Sequence, residues 1–472
     1  MFKNSFIISI FVILFATTAN AQSLTDAVRL AREPIGSGAR AISMGGAAIA
    51  NANDFSALDW NPAALTLIEF GEFNLGLLLR GHSSTASFLG TTAADNVTNF
   101  ALSSIGYATP IETTKGHLAF GISYDRVRDY NSTYSFSAVN TNSSFLDTKN
   151  FINDPGKLSS ETIAQYQSYL NDNNLAWALF LTHNVDSLHT NLTTPFRGGL
   201  LQTGTVTEEG GLKALRIGGG IDVAENVAVG ATANIFFGSY DYRRVYTETD
   251  VNNIFTKPSD TLPPDNFSSA QIIDTRHQSQ AGFNLKLGLL ARPIEQLQLG
   301  FTFETPTFYS IEDEFKRTGS SKFRNGKEYN STDDRLADVS ALNPITVNNY
   351  YVTTPMKFGG GFSFTVSGAT ISASAGFSDL SQLRYSNADV DLSDLNDSAR
   401  KNLGSVFNWK VGAEYVIAPA GLILRGGFSL DPSPYKNDPS EYNTKNLTGG
   451  IGILLSKSSI IELSYKIGRA HV

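Results

Sequence analysis

The stretch FNWKVGAEYVI, residues 407–417, sets Phe407, Trp409, Val411, Ala413 and Tyr415 against Asn408, Lys410, Gly412 and Glu414. Strict period two marks a strand with one apolar and one polar face. The pattern recurs in HLAFGISYD (117–125), FNLKLGLLAR (283–292) and LQLGFTFE (297–304). In each, one face is continuously apolar and the other carries Gly and charges. A soluble sandwich buries its apolar face, but its opposite face is seldom so rich in glycine with such long intervening loops. An all-β, antiparallel transmembrane β-barrel accounts for both faces, with lipid outside and a polar or plugged lumen inside.

The spacing of the segments supports the same architecture. Short links fall at 224–226, 292–296, 367–370, 418–421 and 456–459. Between them lie long polar stretches around 81–98, 138–210, 244–275, 312–346, 386–403 and 432–444. This alternation is that of periplasmic turns and extracellular loops. Residues 158–182 alternate poorly and read as a helical insertion in the longest loop. The segments amount to roughly thirteen strands, whereas bacterial single-chain barrels have an even number. Unpaired backbone facing hydrocarbon costs several kcal/mol per group, so a wall of about fourteen strands with a further, descending one is expected. The last residues, Ile467 to Val472, spell IGRAHV, a peptide encoded by one frame of a common short-read sequencing adapter. They are read as non-native, in place of a closing strand with a terminal aromatic residue.

The chain has 472 residues, net charge -8, 17% charged residues and no cysteine. No basic stripe interleaved with aromatics is present, which argues against a nucleic-acid partner, and disulfide or thiol chemistry is excluded. Lys3, the apolar run 6–15 and the small-x-small site Ala19-Asn20-Ala21 form an export signal over residues 1–21. No later run approaches the ~20 apolar residues of a membrane-spanning helix.

Residues 22–69 precede the alternating region, which occupies 70–472. Here GARAISMGGAAIANANDFSALDWNPAAL, residues 38–65, reads as a compact plug. Gly45 and Gly46 permit close backbone approach, Asn53 or Asp54 can cap a short helix, and Pro62 holds Asn61 extended. The string resembles the N-terminal hatch of the long-chain fatty acid transporter family of outer-membrane proteins, with Asn61-Pro62-Ala63 matching the family's NPA motif. Gly38, Arg40, Gly45 and Gly46 belong to the same string. DAVRLA (26–31), TPTFYSIEDE (305–314) and VGAEYVIAPAGLILRGGFSLDPSPY (411–435) resemble Bacteroidetes-type members, so the likeness spans nearly the whole mature chain.

The resemblance implies a hatch inside the lumen and a location in the outer membrane of a Gram-negative bacterium. A hydrophobic ligand, a fatty acid or another lipid or hydrocarbon, would be captured outside and leave sideways into the membrane lipids. Neither enzymatic chemistry nor a cofactor is implied, and a monomer is expected. A kink in the third strand makes the exit in that family, and here the alternation fails after Tyr124. Asp125, Arg126, Val127 and Arg128 are therefore the candidate lateral gate, although Arg126 also fits a site at the membrane interface. The inward-facing Arg216, Lys286 and Lys410 are candidate contacts for a ligand carboxylate, or partners for acids of the hatch. A second function is implied by related hatch-bearing barrels that bind or shuttle exported proteins as secretion accessories.

Other motifs carry less. GSGARA (36–41) fits a dinucleotide pattern but follows no strand. The six histidines show no metal-ligand spacing, and no G-x-S-x-G elbow is present. The acidic run 389–397 lacks the Gly and closing Glu of a calcium loop and reads as an exposed loop.

Overall fold

The computed structural model describes residues 24–145, 198–255, 266–331, 346–387, 392–456 and 459–469, with a few positions between 175 and 196. The export signal and nearly all of the expected 158–182 helix lie outside these residues. Three short helices come first: α1 (Leu24–Ala31), α2 (Ala39–Ser43) and α3 (Ala57–Trp60), then a 3₁₀ turn at Pro62–Leu67. Among the described residues, every long element after them is a strand, apart from one helix, α4 (Ser393–Asn402). Among the described residues no helix is long and apolar enough to cross a membrane.

The wall begins with β1 (Glu72–Phe88), β2 (Thr91–Ile111), β3 (Leu118–Asp129) and β4 (Ser132–Asn140). It continues with β5 (Leu200–Ala224), β6 (Val227–Thr249), β7 (Phe267–Ile294), β8 (Leu297–Glu304) and β9 (Phe308–Phe323). It ends with β10 (Thr346–Thr353), β11 (Lys357–Val366), β12 (Ala369–Asp379), β13 (Ser405–Ile417), β14 (Leu422–Asp431), β15 (Thr444–Ser456) and β16 (Ser459–Arg469). All ladders among the described residues are antiparallel. Each crossing pairs with the next in sequence, as in an up-and-down barrel, with three crossings in two parts: β3 and β4 both pair with β5, β8 and β9 both pair with β7, and β10 and β11 pair with β9 and β8. Breaks between β8 and β9 and between β10 and β11 fall at Pro306 and Pro355, which lack the N–H that the ladder needs. Outward residues such as Phe73, Leu75, Leu77, Phe283, Leu285, Phe407 and Tyr415 are exposed, whereas the inward Asn284, Thr232 and Arg216 are buried. An exposed apolar belt around an antiparallel wall is the surface of an outer-membrane barrel.

The short links match expectation, but the long loops do not begin where polarity rises. Residues 81–98 form a hairpin, since β1 and β2 pair without interruption from Arg80↔Asn99 to Phe88↔Thr91. The β6–β7 ladder likewise runs on to Thr249↔Ser269, and β7–β9 to Phe323↔Phe267. Polar side chains signal water outside the wall, yet the backbone ladder extends into water at no extra cost. Within the expected 386–403 loop lies α4. Its Ala399 is buried with Leu392 and Leu403, which ties it to the upper core.

Both β1 and β16 climb away from the short-turn end, so the described strands cross an odd number of times. Among the described residues no ladder joins β1 to β16, and one edge of each is unpaired.

Candidate functional site: hatch, lumen cavity and seam

The hatch rests on the wall backbone to backbone. Gly45 and Gly46 take φ of 70° and 80°, a region that suits glycine. A Cβ on Gly412 of β13 would lie 2.3 Å from the Met44 carbonyl oxygen, and one on Gly427 of β14 would lie 2.3 Å from the Gly45 nitrogen. The Asn61-Pro62-Ala63 turn docks on the facing side. Asn61 is extended (φ −159°), its side chain accepts from the Ala63 N–H at 3.1 Å, and its amide donates to the Ile49 and Leu289 carbonyls at 2.7 and 3.1 Å. A Cβ on Gly288 would stand 2.0 Å from Asn61 Oδ1. The inward glycines that run through the strand pattern are thus the seat of the hatch.

Ion pairs fix the orientation of the plug. Arg40 forms a two-pronged pair with Glu414, at 2.9 and 3.0 Å, and donates to the Asn51 carbonyl at 2.6 Å. Arg425 donates to the same Glu414 at 2.6 Å and pairs with Glu462 at 2.7 Å. Burial disfavours the Arg40 charge, but the Glu414 carboxylate raises its pKa above the ordinary arginine value. Each of the three candidate carboxylate contacts is engaged by the protein itself. Arg216 pairs with Asp59 of the hatch at 2.8 Å and with Asp125 at 2.5 Å. Lys286 pairs with Glu304 at 3.1 Å and donates to the Asp59 carbonyl. Lys410 pairs with Glu33 at 2.5 Å and lies 5.0 Å from the Trp60 ring centre. In this arrangement they hold the hatch, and a ligand would meet them only after displacing its acids.

Above the hatch lies a cavity of about 410 Å³. Its apolar lining includes Leu30, Ile35, Phe236, Phe358, Leu380 and Val406. Its charged lining is unbalanced, since Arg32, Arg80, Arg128, Arg216, Lys286, Lys357, Lys410 and Lys466 face only Glu33, Asp59, Glu304 and Asp431. Helix α1 covers this space, packed among Tyr130, Phe236, Tyr240, Tyr309, Tyr350, Leu383 and Tyr385. Its Ala27 N–H donates to the Tyr385 hydroxyl at 3.1 Å, Asp26 pairs with Arg276 at 2.9 Å, and the Arg29 guanidinium sits 3.6 Å from the Tyr240 ring centre.

One side of the cavity reaches an irregular part of the wall. The β2–β3 ladder runs from Ile111↔Leu118 only to Ser104↔Asp125, which leaves residues 91–103 of β2 without a backbone partner on that side among the described residues. On the far side of β3 the register shifts between Arg126 and Arg128, so Val127 is a bulge residue. The bulge brings both Val127 and Arg128 to the cavity. Side chains close the seam instead of a ladder. Asp129 accepts from Arg80 at 3.0 Å, Asn99 at 2.7 Å and Arg126 at 3.1 Å, and Asp95 accepts from the Ser135 N–H at 2.7 Å. Arg126, on the outward face, is thereby drawn into an ion pair beside the seam. Arg128 donates to the carbonyls of Leu30 (3.1 Å), Arg32 and Glu33 (3.3 Å), while the Ile35 N–H donates to the Val127 carbonyl at 3.0 Å.

The model of the BamG family matches residues 197–470, more than half of the chain. The chain belongs to the BamG family. In fold, this BamG-family barrel is similar to the P. putida toluene transporter TodX, at 13% identity over 92% of each chain with a TM-score of 0.52. It is also similar to the TodX deltaS2S3 mutant monoaromatic hydrocarbon channel, at 14% identity over 91% of this chain and 92% of that one, TM-score 0.51. A Pseudomonas aeruginosa FadL homologue aligns over 93% of this chain and 90% of its own at 13% identity, TM-score 0.49. Comparison with curated proteins gives no match. The BamG-family chain thus shares the outer-membrane hydrocarbon-channel fold, N-terminal helical region included, at identities that speak to fold alone.

Alternation placed Arg216, Lys286 and Lys410 inside the BamG-family barrel, and by the same rule it would have found Lys357 and Lys466. Glu33 was missed because AREPIG has no period to read. Asp129 was missed because its importance comes from the stagger between β2 and β3, which no local pattern encodes.

Proposed function

We propose that this barrel passes hydrophobic compounds bearing an acidic head, such as long-chain fatty acids, across the outer membrane, and that its hatch gates a sideways exit at 125–128. One observation carries the reading: a single cavity joins an apolar shelf, an excess of basic side chains and the stretch of wall where the ladder lapses. An apolar tail leaving there enters lipid without crossing water, the route that the hydrophobic effect favours. TodX is a toluene transporter and its deltaS2S3 mutant a monoaromatic hydrocarbon channel, so their fold accommodates apolar cargo.

The test pins the seam. The chain has no cysteine, so Asp95→Cys with Ser135→Cys gives a single disulfide that joins β2 to β4. Oxidised cells should lose uptake of a labelled long-chain fatty acid and regain it on reduction. Uptake indifferent to oxidation would remove the lateral route.

A second reading draws on the upper lumen, where α1 and the tyrosine cluster fill the space that an open channel would keep clear. A barrel so closed suits a secretion accessory that binds exported proteins. Native mass spectrometry separates the two readings: a bound lipid supports transport, whereas a lipid-free barrel with a stoichiometric exported protein supports the accessory.

A further inference from the structure

Glu33 is an acid of the hatch in a cavity where eight basic side chains face it and three other acids, Asp59, Glu304 and Asp431. Its side chain is 27% exposed, open to the cavity, while its partner Lys410 is 10% exposed. Lys357 and Lys286 add their fields to that of Lys410, and Lys357 forms no ion pair among the described residues. Burial acts to raise the Glu33 pKa, yet the lysines outweigh it and hold the carboxyl well below the usual range. Next to the carboxylate, Leu30, Pro34 and Ile35 line the same cavity, so an apolar chain lies beside an acid in a lysine cradle. That is the outline of an anionic amphiphile, drawn by the protein's own chain.

The same segment holds the bulge beside the seam. The carbonyls of Leu30, Arg32 and Glu33 receive Arg128, and the Ile35 N–H meets the bulge at Val127. Building on the transport reading above, we propose that Glu33 is a built-in stand-in for the ligand's acid group. An incoming anionic amphiphile takes the cradle of Lys410 and Lys357 from Glu33, and the freed segment 30–35 releases the bulge at 127–128. The acid head is then the feature that selects cargo able to open the exit, because a ligand shifts a conformational equilibrium only by its differential affinity for the two states. A neutral chain of equal length fits the apolar shelf but leaves Glu33 in place.

The experiment uses the full chain in detergent, with dodecanoate and dodecanol as probes in calorimetric titrations. Glu33→Gln should tighten dodecanoate by on the order of tenfold, since the internal competitor is gone, and leave dodecanol unchanged. Lys357→Met should loosen dodecanoate by a similar factor, again without effect on dodecanol, and it decides the matter if Glu33→Gln does not give a folded, heat-modifiable barrel. A nitroxide at Leu24→Cys reports the hatch end: dodecanoate should mobilise it in the otherwise native chain and dodecanol should not. Glu33→Gln should mobilise it without ligand. Equal effects on both probes, or none, overturn the stand-in role while leaving transport intact. Binding of neither probe by the native chain overturns the transport reading itself.

Discussion

At the scale of single residues, the pair of Glu33 and Lys410 makes a pH prediction whose sign is fixed. A carboxyl depressed from 4.5 to about 2 in the folded chain contributes docking energy that is fully present above about pH 4.5 and is lost as pH falls towards 2. The nitroxide at Leu24→Cys should therefore stay immobile from neutral pH down to about 4.5 and loosen below it. A signal flat to pH 2 would show that Glu33 does not anchor the segment. Residue identity was legible in the sequence where local geometry demanded it, as at Asn61-Pro62-Ala63 and Gly45-Gly46. The direction of Arg216, Lys286 and Lys410 was legible from parity, but their partners were not, because Asp59 and Glu33 reach them only after the hatch folds back into the barrel.

At the scale of elements, Asp129 is the knot of the seam. Its carboxylate gathers Arg80, Asn99 and Arg126 where the ladder between β2 and β3 has stopped. Asp129→Ala removes these three contacts together with two local ones from the Asn131 backbone and amide, each worth about 0.5–3 kcal/mol when partly buried. Hydrogen exchange should rise in residues 91–103 of β2 while the β5–β6 ladder stays protected, and uniform protection would mean that the seam is held elsewhere. The strands themselves were plain from alternation, since each must present apolar side chains to lipid. Their upper ends were not, because above the bilayer the outward face turns polar while the ladder continues. This is how 81–98, read as a loop, is a hairpin.

At the scale of the whole molecule, hatch and wall behave as one solid so long as the glycine seats stay empty. Gly288→Val would put its first carbon 2.0 Å from Asn61 Oδ1, an overpacking that costs typically about 1–3 kcal/mol. Purified in planar bilayers, that variant should show frequent ion-conducting openings where the native barrel is silent. Unchanged silence together with a folded barrel would mean that the hatch seals without the NPA seat. The barrel class was readable from end to end in the sequence, and the hatch from one string. The shape of the space between them was not, for it depends on how twelve or more strands are staggered at once. The seating of main chain on main chain also bears on how such a protein can change over time. Contacts that involve no side chain impose no preference among side chains, so hatch residues that face the cavity are free to drift towards new cargo. The glycines of the wall and the small residues opposite them are bound to one another, and a hatch transplanted from another barrel would seat only where both sets fall in register.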